Sequence, residues 1–506
     1  MERREVLRGA ILTAGVSMAS YASAKSGPTR RLVVEADREG SAIRPVMAVA
    51  GVPGPIPGRP QFMDMSASWT RGCVRMVRSH DWIARLDTVD NPDSLFPRWD
   101  ADPQDPASYN FAAADQWVAQ VNRLGAQVLF TIASAIPHNK RPAADLAKYE
   151  IVVEHIVRHF VEGWGNGRPD SIRYWEFGDQ PDFGKLHFAG TTGQFHAMYA
   201  AFARAVKRVD PRLQTGGPGL AFPLNADTGH REAFLDFVHE QRLPLDFFSY
   251  NWFSDGTRDP MDQRVVAQRL RAVLDARGFR KTALVADSWN YLGIPVNHAH
   301  PAEAAAYIVA AGIYLVDSPL DRACYFRGDG GWDPHYGFQD PAGYLGPDGR
   351  TDQRMIAVES LGQALNGKRL PASGGDEDGL AVLASRDEAS GAVRVLVANH
   401  ARPAAFAKPR QSDTLSFRVP IGAERVQMDF LLPPQRPVPA EPRPFQLSLT
   451  VMNRLWTSRR VTVNRLLVDK DGAHRSSFDA APRHGAVMVD APVGPNSFAL
   501  FDINPA

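Results

Sequence analysis

The sequence predicts an α/β chain, a (β/α)8 barrel followed by a β-sandwich. Three observations lead there. Between about residues 45 and 368, short apolar runs alternate with longer helical patterns, as parallel strands with crossover helices do. Those runs number eight, the strand count of a closed (β/α)8 barrel. After about residue 370 the helical periodicity fades, and short alternating strands separated by Pro/Gly-rich turns take over. The runner-up for the first part is an open doubly wound sheet, but no Gly-rich phosphate loop supports it.

The elements follow in order. Residues 1–24 read as an export leader. Arg3-Arg4-Glu5-Val6-Leu7-Arg8 resembles a twin-arginine motif, a short apolar run follows, and Ala22-Ser23-Ala24 suits cleavage. A periplasmic or secreted protein is therefore expected. No later stretch is apolar and long enough for a membrane anchor. Residues 25–44 hold an early strand (30–36) that joins the sandwich. Barrel strands are expected at 46–50, 73–78, 127–132, 172–178, 213–217, 245–250, 282–287 and 322–327, within a unit spanning 45–368. Helices are expected at 112–124, 193–209, 262–277 and 301–317. Residues 369–506 form the sandwich, with strands such as LAVLAS, VRVLVANH, FQLSLTVM and SFALFDI.

Composition narrows the function. Lys plus Arg number 57 against 56 Asp plus Glu, so a net charge of +1 gives no electrostatic case for nucleic acid or an anionic membrane. The two cysteines, Cys73 and Cys324, both lie in strand-like runs and are as readily two buried thiols as a disulfide. No Cys/His spacing suggests a metal site, and no organic cofactor is implied. The Gly/Asp run at 328–333 reads as a turn rather than a calcium loop.

In a barrel of this kind the chemistry sits at the C-terminal ends of the strands. Those ends carry Arg78-Ser79-His80, Pro137-His138, Asp179-Gln180, Tyr250-Asn251-Trp252, Asp287-Ser288-Trp289-Asn290, and Arg327 with Asp329. Polar, charged and aromatic groups at six strand ends suit a poly- or oligosaccharide, whose hydroxyls want hydrogen bonds and whose flat C–H faces want aromatic rings. Arg78, Asn251, Trp252, Ser288, Trp289, Asn290, Arg327 and Asp329 are the candidates for binding it. Glu176 reads as a buried hydrogen-bonding group inside the barrel.

These segments resemble glycoside hydrolase family 39, the retaining β-xylosidases and α-L-iduronidases. Arg78-Ser79-His80 is similar to the family's R-F-H, WEFGDQPD to its W-E-V-W-N-E-P-N, and LQTGGPGLA to its G-G-P strand. DFFSYNWF is similar to its D-F-I-S-x-H-x-Y, and ADSWNY to its T-E-W-N. The resemblance covers roughly residues 30 to 400 and implies a barrel acting on a glycan. Its departures fall at the chemistry. The family's acid/base Glu corresponds to Gln180, its nucleophile Glu to Ser288, and its strand-six His and Tyr to Asn251 and Phe253.

Retaining hydrolysis needs two carboxyl groups about 5–5.5 Å apart. Neither an amide nor an unactivated hydroxyl supplies one. Three readings stay open. A hydrolase could use Asp179 and Asp287, each one residue before a lost Glu. A lyase could eliminate beside a uronic acid, neutralising the sugar carboxylate with Gln180, Asn251, Asn290 and Arg78 or Arg327, and taking the proton with His80, His138 or Tyr250. A barrel without catalysis could hold the glycan through Trp175, Trp252, Trp289 and Trp332.

Overall fold

The computed structural model describes residues 28–505, apart from 39, 81, 82, 84, 133–140, 226–229, 255–258, 292–299, 334–337, 340–342, 344–351, 376–379, 402–413, 422–423, 434–443, 454–455 and 457–459. His138 and the leader therefore lie outside the described residues.

The first strand is β1 (Thr29–Glu35). Eight parallel strands then close a barrel: β2 (Met47–Ala50), β3 (Met76–Arg78), β4 (Gln127–Ile132), β5 (Tyr174–Phe177), β6 (Gln214–Leu220), β7 (Phe247–Ser254), β8 (Ala283–Tyr291) and β9 (Arg322–Phe326). All eight coincide with expected runs. Their side chains alternate between two cores, as a period of two requires. Ala48, Ala50, Met76, Leu129, Phe247, Val285 and Cys324 fill the barrel interior. Val49, Val77, Phe130, Trp175 and Phe248 face the surrounding helices.

The helices are α1 (Ser66–Arg71), α2 (Ala112–Arg123), α3 (Leu146–Val161), α4 (Thr192–Val209), α5 (Arg231–Glu240), α6 (Asp262–Ala276), α7 (Pro301–Val316) and α8 (Gln353–Leu365). Helix α2 stops just before Gly125, whose φ of 70° is left-handed. Helix α7 is apolar all round (AAAYIVAAGIYLV), so it must be enclosed. It is buried along nearly its whole length, between the barrel and the C-terminal sheets. Gly312 gives it close contact with α8, since a Cβ there would stand 2.1 Å from Leu361 Cδ2.

The C-terminal part is a sandwich. A six-stranded antiparallel sheet runs in the order 368–370, 380–386, 393–399, 497–505, 461–469, 472–480. A four-stranded sheet opposes it, in the order 372–373, β1, 445–452, 486–493. β1 pairs in parallel with 445–452, Leu32 opposite Leu449. Leu32, Val34, Leu449 and Val489 of one sheet meet Val395, Val463 and Phe501 of the other.

Two expectations need correction. Cys73 is not in a strand. It sits in the turn after α1 with φ 49°, and both cysteines are free. The hairpin 461–480 was not foreseen. Its second strand, GAHRSSFDA, is an edge strand with mostly exposed side chains, so it lacks the apolar alternation that marks a half-buried strand. Among the described residues, no helix is long and apolar enough to cross a membrane.

Candidate active site at the barrel mouth

The site is organised by one arginine. Arg78 ends β3 and points into the barrel mouth, 1% exposed. Its Nε donates to Glu176 Oε2 at 2.7 Å and its Nη1 to Ser288 Oγ at 3.2 Å. Its Nη2 donates to Asp179 Oδ1 at 3.2 Å and lies 3.3 Å from Asp287 Oδ2. Three carboxyl groups thus surround one guanidinium. Burying that many charges costs several kcal/mol each unless they are matched.

A local irregularity brings Asp287 there. Tyr250 stands opposite Ala286, but the next residue, Asn251, stands opposite Ser288. On the other side Ala286 pairs with Ala323 and Trp289 with Tyr325. Asp287 is the extra residue of a β-bulge in β8. A bulge lets two consecutive side chains share a face. Asp287 and Ser288 accordingly both reach Arg78, which a regular strand forbids.

Asp179 arrives differently. After β5 the chain turns through two left-handed residues, Gly178 (φ 87°) and Gln180 (φ 53°), into a short 3-10 turn at Pro181–Leu186. Gln180 is held there by its own N–H on Gly219 O at 2.7 Å. Its amide donates to Asn251 Oδ1 at 3.0 Å, and Asn251 donates onward to Gly219 O at 3.1 Å. Gly219, φ 67°, is wedged between the two acids. A Cβ there would lie 3.0 Å from Asp287 Oδ2 and 3.2 Å from Asp179 Cα. Asp179 is the accessible member, 18% exposed, with His187 Nδ1 3.8 Å from its other oxygen.

The two acids differ in environment. Asp287 is fully buried. Glu176 Oε1 and both Asp287 oxygens find no ordinary hydrogen-bond donor, so a proton is the remedy. Burial, and then the charges of Glu176 and Asp179, push the Asp287 carboxyl well above the usual carboxylate range against the opposing pull of Arg78. A protonated Asp287 donates to Glu176, whose Oε2 also accepts from Thr131 Oγ1 at 2.5 Å.

Several expected site residues lie elsewhere. Trp175, Trp252 and Trp289 are fully buried in the core outside the strands and present no face to a sugar. Each neighbours an inward residue (Glu176, Asn251, Ser288), so alternation turns it outward. Tyr250 is buried in that core too. Arg327 and Asp329 bind each other, Nε to Oδ1 at 2.6 Å, both fully enclosed. Asp329 also accepts from Val52 N and Gly331 N, which fastens two loops. Asn290 donates to Phe326 O and accepts from Tyr291 N. Asp182 accepts from Ala221 N and Phe222 N, both at 2.8 Å, and so ties the β5 exit to the β6 exit. His80 is half-buried near the mouth, 5.3 Å from the Phe326 ring. Gly219 and His187 were missed, and only the Gly-Pro-Gly at 217–219 offered a signal for the first. Among the described residues, no group of three or more His, Cys, Asp or Glu is placed to hold a metal ion.

A closed parallel barrel with an acidic cluster at the C-terminal ends of its strands defines a class of enzyme scaffold. Comparison with known proteins narrows it. The family described as Glycosyl hydrolases family 39 matches residues 70–311. The crystal structure of a glucosidase from Croceicoccus marinus is 44% identical and superposes with a TM-score of 0.88, over 95% of this chain and 100% of that one. A β-xylosidase from Geobacillus stearothermophilus is 28% identical over 191 residues, 34% of this chain and 36% of that enzyme. The chain thus matches little more than a third of the length of the xylosidases it resembles. A monomeric β-xylosidase from Caulobacter crescentus CB15 shares the fold, with TM-score 0.62 at 16% identity over 94% of this chain and 100% of that one. The chain belongs to a family 39-like group of glycosyl hydrolases.

Proposed function

We propose that the protein hydrolyses glucosidic bonds in an oligo- or polysaccharide, with Asp179 and Asp287 as its two carboxyl groups. The observation that carries this is their shared contact with Arg78 Nη2, at 3.2 and 3.3 Å. The two oxygens cannot be farther apart than those contacts laid end to end. That bound only reaches the lower edge of the roughly 6.5–9.5 Å an inverting pair keeps for its water, and it contains the roughly 5–5.5 Å of a retaining pair. The pair comes from the strand ends that supply the catalytic Glu residues in the family resembled.

Environment assigns the roles. Asp287, whose carboxyl burial pushes well above the usual carboxylate range, is the acid that protonates the leaving oxygen. Asp179, partly exposed and ion-paired with Arg78, is the carboxylate that attacks the anomeric carbon. Gln180 and Asn251 form a fixed amide pair beside it that binds sugar hydroxyls. The glucose preference rests on the likeness to the Croceicoccus marinus enzyme.

Elimination at a uronic acid fits less well. Glu176, Asp179 and Asp287 outnumber Arg78 at the mouth, and Arg327 is committed to Asp329, so an anionic sugar meets repulsion. Tyr250 is enclosed in the core. A barrel that only binds has no need of a buried carboxyl pair. The Arg3-Arg4 leader supports work outside the cytoplasm; periplasmic recovery that is lost in an Arg3→Lys, Arg4→Lys variant checks it.

The direct test incubates purified protein with aryl and oligomeric glucosides, xylosides and uronic-acid polymers. Reducing ends without absorbance at 235 nm are expected from the glucosides. Absorbance at 235 nm on a uronic-acid polymer would make the protein a lyase, and saturable binding without any turnover would make it a binding protein.

A further inference from the structure

A cavity of about 430 Å³ lies between helix α8 and the six-stranded sheet of the sandwich. Its size falls within the roughly 300–1,000 Å³ of small-molecule sites. Ile356, Glu359, Ser360 and Gln363 of α8 form one wall, and strands 461–469, 472–480 and 497–505 form the other. It shares no lining residue with the cluster around Arg78.

Strand register decides which side chains of the sheet look into it. Leu466 and Leu500 stand opposite each other and pack on the barrel side. Directly paired residues share a face, and so do residues two apart. Leu466 is also opposite Arg475, and Asn464 is opposite both Asp502 and Ser477. The sheet wall therefore carries two rows. One is polar, Asp502–Asn464–Ser477, and the other runs from two leucines to an arginine.

The chemistry of this wall selects an occupant. Asp502 Oδ1 is enclosed without a hydrogen-bond partner, and Arg394 Nε stands 3.5 Å from it. That oxygen asks for a donor. Across the crevice Glu359 is held by Arg71 at 2.8 Å. An anion would meet both carboxylates, and an apolar molecule would leave Asp502 unanswered. A sugar ring suits every part. Its hydroxyls donate to Asp502 and accept from Asn464, Arg475 and Ser477, while its C–H face rests on Leu466 and Leu500.

We propose that the crevice is a second carbohydrate site, holding a short stretch of a neutral oligo- or polysaccharide apart from the barrel mouth. The proposal stands whichever bond the mouth cleaves.

Calorimetry on the full chain, with cellotriose, maltotriose and laminaritriose as probes, tests it. Asn464 is exposed, so Asn464→Trp fills the crevice from a position that tolerates a large side chain. Ser477→Trp, also exposed, does the same from the next strand. The wild type is expected to bind one more equivalent of at least one trisaccharide than either variant, with equal turnover of 4-nitrophenyl glucoside in all three proteins. The same stoichiometry and affinity in the wild type and in a folded variant, for every trisaccharide, would overturn the proposal. Turnover lost in parallel with the binding would overturn it too, by placing the lost sugar in the mouth. Sulfate bound in place of any trisaccharide, and lost in the variants, would make the crevice an anion site instead.

Discussion

Asp179 and Asp287 come from strand ends 108 positions apart in sequence, yet both meet the same nitrogen, Nη2 of Arg78, at 3.2 and 3.3 Å. Arg78 therefore fixes the spacing of the pair and compensates its charge. Arg78→Met leaves Glu176, Asp179 and Asp287 without their cation. A loss of about 3–5 kcal/mol is expected, as when one partner of a buried pair is removed. Urea unfolding measures it, and turnover should vanish with it.

Gly219 is expected to be a geometric requirement of the site. Gly219→Ala adds a methyl 3.0 Å from Asp287 Oδ2 at a φ of 67°. Strain of about 1–3 kcal/mol and a fall in kcat of tenfold or more should follow. Gly278→Ala is the control. Its φ is 88° but nothing lies within 4 Å of the new methyl, so stability should fall without a change in kcat.

Tyr250→Phe discriminates hydrolysis from elimination. The hydroxyl is buried and makes no hydrogen bond. Burial also pushes it up and holds it protonated. Its removal should leave turnover unchanged and stability equal or slightly higher. A hundredfold loss of activity would restore Tyr250 as a base.

Asp182 gives a pH dependence of stability. Burial pushes its carboxyl up to about 6 from an unfolded value of 3.8, although two backbone N–H groups oppose this. The native state then binds the proton more tightly than the unfolded chain. That stabilisation is complete below about pH 3.8 and is lost as pH rises through about 6. His196 acts the other way. Burial lowers it to about 4, so its contribution is lost as pH falls from 6.5 through 4. Subtracting the urea midpoints of Asp182→Asn from those of the wild type isolates the first effect. The difference should decline between pH 4 and 6, and a flat difference would contradict it.

The barrel was legible because its strands are short apolar runs and their spacing leaves room for helices. Arg78, Glu176 and Asn251 could be placed inward by alternation alone. The bulge at Asp287 could not, since an extra residue leaves no mark on composition and is visible only as a register shift against β7 and β9. The same alternation, applied to Trp175, Trp252 and Trp289, points them outward. Aromatic content had suggested sugar stacking, and the strand parity overrides it. The mutual engagement of Arg327 and Asp329 depends on where the loop after β9 folds back, which no local pattern encodes.

The central claim is that Asp179 and Asp287 are the working carboxyl pair. The most direct measurement is kcat/KM of Asp179→Asn and Asp287→Asn on an aryl glucoside, with circular dichroism to show that each variant is folded. Each is expected to lose about 10²–10⁴-fold, and the wild type should lose activity as pH rises and Asp287 gives up its proton. A folded Asp287→Asn that turns over like the wild type would contradict the account.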